Sequence, residues 1–281
     1  MEAALGKTCQ LKVLRKVSIG LFLDGGGLGD ILLPNRYVTD DMKEDEDVEV
    51  FVYLDSEDRI IATTEVPYAE VGEFAYLEVA AVSKFGAFLD WGLMKDLLVP
   101  FREQTVKMEK GKSYLVHIYI DYDSNRIVAS AKYDRFLDNL SPDYEVGEEV
   151  DLIISEKTDL GYKAIVNNLH SGLLYDNQVF RRLSTGQKIK GYISKIREDD
   201  KIDLLLEKPG IAKLDDLSER VLQVLKVKGG FIGVSDKSSP DVIASYFGMS
   251  KKNFKKAIGR LYKERIIQIE PESIRLLKDN N

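Results

Sequence analysis

The chain repeats itself, and that limits the folds open to it more than any single motif does. VSIGLFLD (17–24) stands against VSKFGAFLD (82–90), and ILLPNRY (31–37) against LLVPFRE (97–103). VEVFVYLDSEDRIIATTE (48–65) stands against YLVHIYIDYDSNRIVASAK (114–132). Pro34 pairs with Pro100 and Asp55 with Asp121, each at an offset of 66. Three landmarks in one order and at nearly one spacing are hard to obtain by chance. A more distant third copy follows: GEEVDLIISEKTDLGYKAIVNN (147–168), HSGLLYDNQVF (170–180) and GQKIKGYISKIREDDKIDLLLE (186–207). Within the copies apolar residues alternate, as in Val48, Val50, Val52 and Leu54, or Tyr114, Val116, Ile118 and Ile120. A period of two marks half-buried strands. Five short strands in roughly 65 to 70 residues fit a Greek-key barrel of the OB type. A small open sheet is the competing arrangement.

The repeat also settles a suggestive loop. LFLDGGGLGDILLP (21–34) holds four glycines in five positions. A phosphate-binding loop needs Lys-Ser or Lys-Thr after its last glycine, and Asp30-Ile31 stands there instead. A dinucleotide fingerprint counted from Gly25 would put its third glycine on Asp30. In the second copy the run becomes Trp91, Gly92 and Leu93. A phosphate cradle would not survive that replacement, whereas a turn between strands would.

Composition narrows the function classes. A chain of 281 residues with 44% apolar and 31% charged residues has room for several packed cores. No apolar run approaches membrane-spanning length, and the opening MEAALGKTCQLKVLRKV is broken by Lys7, Lys12, Arg15 and Lys16, unlike a secretory signal. The single cysteine, Cys9, alternates with Leu11 and Val13 and reads as a small core residue in a reducing cytoplasm. His117 and His170 read as surface or strand-edge residues. One cysteine and two histidines make a structural zinc site or a nucleophile–histidine scheme unexpected.

Charge is divided along the chain. Residues 212–281 carry 14 basic and 9 acidic residues, net +5, while the whole chain is −7, leaving −12 for the rest. The basic tail also changes period. LSERVLQVLKVKGG (217–230) has helical spacing and ends on two glycines. In SSPDVIASYFGMS (238–250), Ser239 is the expected N-cap and Pro240 the first helical residue. SKKNFKKAIGRLYKER (250–265) gives a third helix with Phe254, Ile258, Leu261 and Tyr262 inward, after a tight Gly248-Met249-Ser250 turn. RIIQIEPESIRLL (265–277) reads as two strands, which completes a winged helix.

The expected fold is therefore mainly β: three tandem five-stranded OB-type barrels at 1–68, 69–140 and 141–210, then a small α+β winged-helix domain at 211–281. The first two units resemble S1-type RNA-binding domains through the FGAFLD, LLVP and D-x-x-x-x-R-I-x-x-S elements of the second. GYISKIREDDKIDLLLEKPG, DKSSP and FGMSKKNFKKAIGRLYKERII are similar to the bacterial conserved virulence factor B family. That resemblance implies a cytoplasmic, post-transcriptional regulator of gene expression. It would bind single-stranded RNA with weak sequence preference, with ribosome or other proteins as further partners and no membrane.

The resemblance also implies site residues. Phe85 and Phe88 would stack on bases, with Gly86 kinking the strand to bring both outward, unless one of them is core. Arg126 matches the hairpin arginine and Asp121 the nearby acid, although this turn is one residue longer. Pro100 replaces a histidine common in S1-type domains. The first unit keeps Phe22, Asp55 and Arg59 but has Ile19 where the second has Phe85, and it carries an acidic run, DDMKEDEDVE (40–49). The third has Leu160 and Lys163 in place of both aromatics. Lys251, Lys252, Lys255, Lys256 and Arg260 on the third helix form a candidate phosphate-facing surface or a plain solvated face. The competing function is a ribosome- or protein-associated adaptor whose barrels have largely lost RNA contact. No carboxylate cluster in a catalytic segment supports a nuclease, the enzyme class that S1-type domains often accompany, so the chain reads as non-enzymatic with no cofactor.

Overall fold

The computed structural model describes residues 3–208 and 214–277. The expected boundary between 210 and 211 lies outside the described residues. The chain divides into two units, residues 1–137 and 138–281.

The first unit holds two barrels. Strands β1 (Thr8–Val17), β2 (Gly20–Asp24), β3 (Asp30–Pro34), β4 (Asp47–Leu54) and β5 (Ile60–Thr63) close in the order β1-β2-β3-β5-β4. Strands β6 (Phe74–Val82), β7 (Gly86–Leu89), β8 (Leu97–Pro100), β9 (Ser113–Asp121) and β10 (Arg126–Ser130) close in the same circuit. Closure removes every sheet edge, so the open-sheet arrangement is excluded. Alternation fills each interior, as with Leu11, Val13, Leu21 and Leu23 in the first barrel. The glycine run is a turn between β2 and β3, with Gly26–Leu28 as one 3-10 turn and Asp24 Oδ1 accepting from the Gly26 N–H at 2.9 Å.

Alternation alone would leave Phe51 and Tyr53 of β4 facing water. Both are buried instead, because they share a core with Trp91 and Leu93 of the second barrel. Trp91 meets Phe51 edge-on at 5.7 Å, and its indole Nε1–H donates to the Lys95 carbonyl at 2.6 Å. Burying one such ring contributes about 1.5–3 kcal/mol, so the two barrels form one body rather than beads on a string.

The second unit begins with a third barrel: β11 (Glu149–Thr158), β12 (Gly161–Val166), β13 (His170–Tyr175), β14 (Lys188–Ile196) and β15 (Ile202–Leu205), again closed in that circuit. A winged helix follows, with α1 (Leu214–Val227), β16 (Phe231–Ile232), α2 (Pro240–Phe247), α3 (Lys251–Lys263), β17 (Ile267–Ile269) and β18 (Ile274–Leu276). Ser239 caps α2 through the Val242 N–H and Ser250 caps α3 through the Asn253 N–H. Gly248 adopts φ +61° between them, which makes the tight turn. The short β16, pairing with β18, adds a third strand to the expected hairpin.

Three expectations are corrected. Tyr262 is 56% exposed, and Ala257 takes its place on the inner face of α3. Neither histidine is at the surface. His117 lies in β9 with its ring 4.0 Å from that of Phe136 and 4.6 Å from that of Phe74. Burial drives its pKa down to about 4, with the Arg135 charge pushing the same way. His170 is held at both nitrogens, by the Tyr144 hydroxyl and the Leu140 carbonyl, each at 2.8 Å. The carbonyl can only accept, so Nε2 carries the proton and Nδ1 accepts from the tyrosine.

Candidate nucleic-acid interface

The three barrels share one backbone device. Gly20, Gly86 and Gly161 open β2, β7 and β12 at φ +154°, +151° and +152°. A Cβ there would lie 2.0, 2.2 and 2.0 Å from the carbonyl oxygens of Leu33, Val99 and Leu174. Only glycine fits, and the preceding side chain is thrown into solvent. Those side chains are Ile19, Phe85 and Leu160, exposed by 58%, 62% and 64%. Three residues on stand Phe22, Phe88 and Lys163, each at a register shift in the strand pairing. The same backbone thus presents the same two positions three times, with different chemistry.

In the second barrel both positions are aromatic, and Phe85 and Phe88 line one cavity of about 270 Å³. The strand kink brings together two residues that an ideal strand would place on opposite faces. Opposite Phe88 stands Ala81, too small to cover the ring. In the first barrel the residue opposite Phe22 is Arg15. Its guanidinium lies 4.5 Å over the Phe22 ring and pairs with Asp30 at 2.8 Å. In the third barrel Lys163 faces Glu156, Tyr162 is covered by Lys157, and Tyr175 is engaged by Arg197.

The hairpin arginines differ as well. Arg59 folds back on Asp55 at 2.7 Å. Burial pushes the Asp55 carboxyl up, but hydrogen bonds from Arg59 and from the Arg59 and Glu57 backbone outweigh it and hold it below the usual carboxylate range. The turn after Asp121 is one residue longer, and the pairing is different. Asp121 accepts from Arg102 Nη2 at 2.8 Å and from the Ser124 hydroxyl at 2.7 Å. Arg126 reaches instead to Asp58, on the first barrel's hairpin. Lys95 joins them, its Nζ 3.7 Å from the Asp58 carboxylate and 2.6 Å from the Asp55 carbonyl oxygen.

Tyr53, Asp58, Trp91, Lys95 and Asp96 therefore line the cavity alongside the residues expected from sequence. Burial, aided by Asp90, pushes the Asp96 carboxyl up. One signal in sequence pointed here: the lone tryptophan, in a loop whose counterpart is glycine.

The basic helix contributes less open charge than its sequence suggests. Lys251 Nζ donates to the Ser238 carbonyl at 2.8 Å, Lys255 lies 3.7 Å from Asp236, and Arg260 pairs with Glu264 at 2.7 Å. Lys252 and Lys256 are exposed and make no ion pair among the described residues.

Comparison with known proteins agrees with this layout. The S1 domain model matches residues 5–65 and 71–132, and the CvfB-like winged helix domain model matches residues 219–276. The Staphylococcus epidermidis (strain ATCC 12228) conserved virulence factor B is 26% identical over 247 residues, covering 85% of this chain and 83% of that protein. The C-terminal domain is of the CvfB-like winged helix type, and the chain is similar along most of its length to conserved virulence factor B. The uncharacterized Bacillus subtilis (strain 168) protein YitL is 28% identical over 272 residues, covering 92% of this chain and 89% of its own. A solved multidomain protein with nucleic acid binding domains from Streptococcus pneumoniae is 23% identical and covers 97% of this chain and 98% of its own, with a TM-score of 0.42. The third barrel lies between the stretches that the models match, in keeping with its lack of the aromatic pair.

Proposed function

We propose that the protein binds single-stranded RNA without catalysing a reaction on it, and acts in the cytoplasm as a post-transcriptional regulator. The observation that carries this reading is the second barrel's cleft, where Phe85 and Phe88 face one cavity beside Arg126 in a match to the S1 domain. Two flat rings next to a cation suit unstacked bases on a phosphate backbone, with little preference among bases. Lys252 and Lys256 of α3 supply further attraction for phosphate. The four expected modules, with boundaries at 68, 140 and 210, share the work unequally, and the second carries most of it.

The adaptor reading draws on the covered ring of Phe22 and the absence of the aromatic pair from the third barrel. One experiment separates the two. Titrating a labelled single-stranded RNA with the full chain should show affinity that falls by about 1–3 kcal/mol in the folded Phe85→Ala/Phe88→Ala variant. No binding at low salt by the parent protein would favour the adaptor.

A further inference from the structure

Part of the wall of the second barrel's cleft belongs to the first barrel. It is the tip of the β4–β5 hairpin, and its charged residue there is Asp58. Asp58 bonds to Arg126 and lies 3.7 Å from Lys95 Nζ. Asp58 is thus set against the cationic groups of an aromatic cleft, in the way a nucleic-acid phosphate would be. We propose that Asp58 is an internal phosphate mimic, which holds Arg126 and Lys95 in the free protein and is displaced when RNA enters the cleft. This rests on the RNA-binding reading given above and adds to it a competitor built into the neighbouring barrel.

Each part of the arrangement favours exchange. A carboxylate and a phosphate both offer a guanidinium a pair of oxygens, so one can replace the other without moving the arginine. Asp121, the acid of Arg126's own hairpin, is already engaged by Arg102 and Ser124. In the first barrel the equivalent Arg59 is neutralised by Asp55 of the same hairpin, a carboxylate that the Glu57 and Arg59 backbone N–H groups fix in the turn, so it cannot swing away as Asp58 can. Arg126 is instead held from outside. The Asp58–Arg126 pair is half-exposed on both sides, and such pairs are weak enough to yield to a polyanion that also releases counterions. Displacement need not separate the barrels, since only the Asp58 side chain has to leave, while Phe51 and Trp91 stay packed beneath.

Asp58→Asn is the informative variant. Asp58 sits at φ +60°, a conformation asparagine adopts as readily as aspartate, so the hairpin keeps its shape. A labelled single-stranded RNA of mixed sequence is titrated with the full chain across a range of salt. The expected result is binding about tenfold tighter than the parent at low salt, with the log–log salt slope steeper by roughly 0.7 for each cation set free. Adding Arg126→Gln should erase most of that gain. Unchanged or weaker binding by Asp58→Asn, with Phe85→Ala/Phe88→Ala still damaging, overturns the mimicry and leaves the RNA-binding cleft standing. Absence of binding by every variant at low salt overturns both.

Discussion

The first and second barrels are copies with one backbone and two surfaces. Gly20 and Gly86 force the same strand entry, and the register shift that follows sets Phe22 and Phe88 at the same place. What differs is the partner across the strand. Arg15 lies over one ring, and Ala81 leaves the other open. On the proposed function, the fold supplies the positions, and the residue across the strand, with Ile19 in place of Phe85, sets how open each position is to a base. A second pair of equivalent positions makes the same point about structure. Phe51 and His117 stand at an offset of 66, each between two residues that fill its own barrel's core. Phe51 is buried by the next barrel through Trp91, and His117 by the Phe136 ring of its own C-terminal turn.

The largest effect should come from the shared core. Phe51→Ala removes a fully enclosed ring at the junction and should cost about 3–5 kcal/mol in urea-induced unfolding. Two separate unfolding transitions for the barrels in the parent protein would break the comparison, since they would mean that the junction adds nothing.

His117 gives the next effect, through pH. Its folded pKa of about 4 lies below the ordinary 6.5, so the fold favours the neutral ring. Its contribution is fully present above pH 6.5 and is lost as pH falls toward 4, because the unfolded chain takes up the proton first. The full loss amounts to roughly 3 kcal/mol. His117→Phe should flatten the stability profile over that window relative to the parent. An identical acid slope in both proteins would show that His117 is not a buried titrating group.

The smallest effect concerns the tail. Lys252→Ala/Lys256→Ala should reduce the salt slope of RNA binding by roughly 0.7 for each single-strand phosphate that is no longer neutralised, with stability barely changed. Adding Lys251→Ala should lower stability more than the slope, because that ammonium already bonds the Ser238 carbonyl. An unchanged slope in the double variant would confine RNA binding to the barrels.

Much of this was legible in the chain because repetition is a long-range signal written in plain order. The offset of Pro34 to Pro100 announced the barrels, and Ser239, Pro240 and Ser250 announced helix starts through local capping chemistry. Gly86 could be read as a kink for the same local reason. Contacts between the first two barrels could not. Asp58 meets Arg126 across 68 positions of chain, and no spacing rule pairs them. The burial of both histidines escaped because the rings that cover them, Phe136 and Tyr144, lie in segments without strand pattern. The lysines of α3 looked equivalent by spacing, whereas their partners, such as the Ser238 carbonyl and Asp236, come from the loop before α2.

The two copies of one face differ, on the proposed function, in whether they can take RNA. That difference is tested most directly by titrating one labelled single-stranded RNA with two folded full-length variants, Phe85→Ala/Phe88→Ala and Ile19→Ala/Phe22→Ala. The first should lose about 1–3 kcal/mol of affinity and the second should bind as the parent does. Equal losses in both, or a loss confined to the first barrel's pair, would contradict the account.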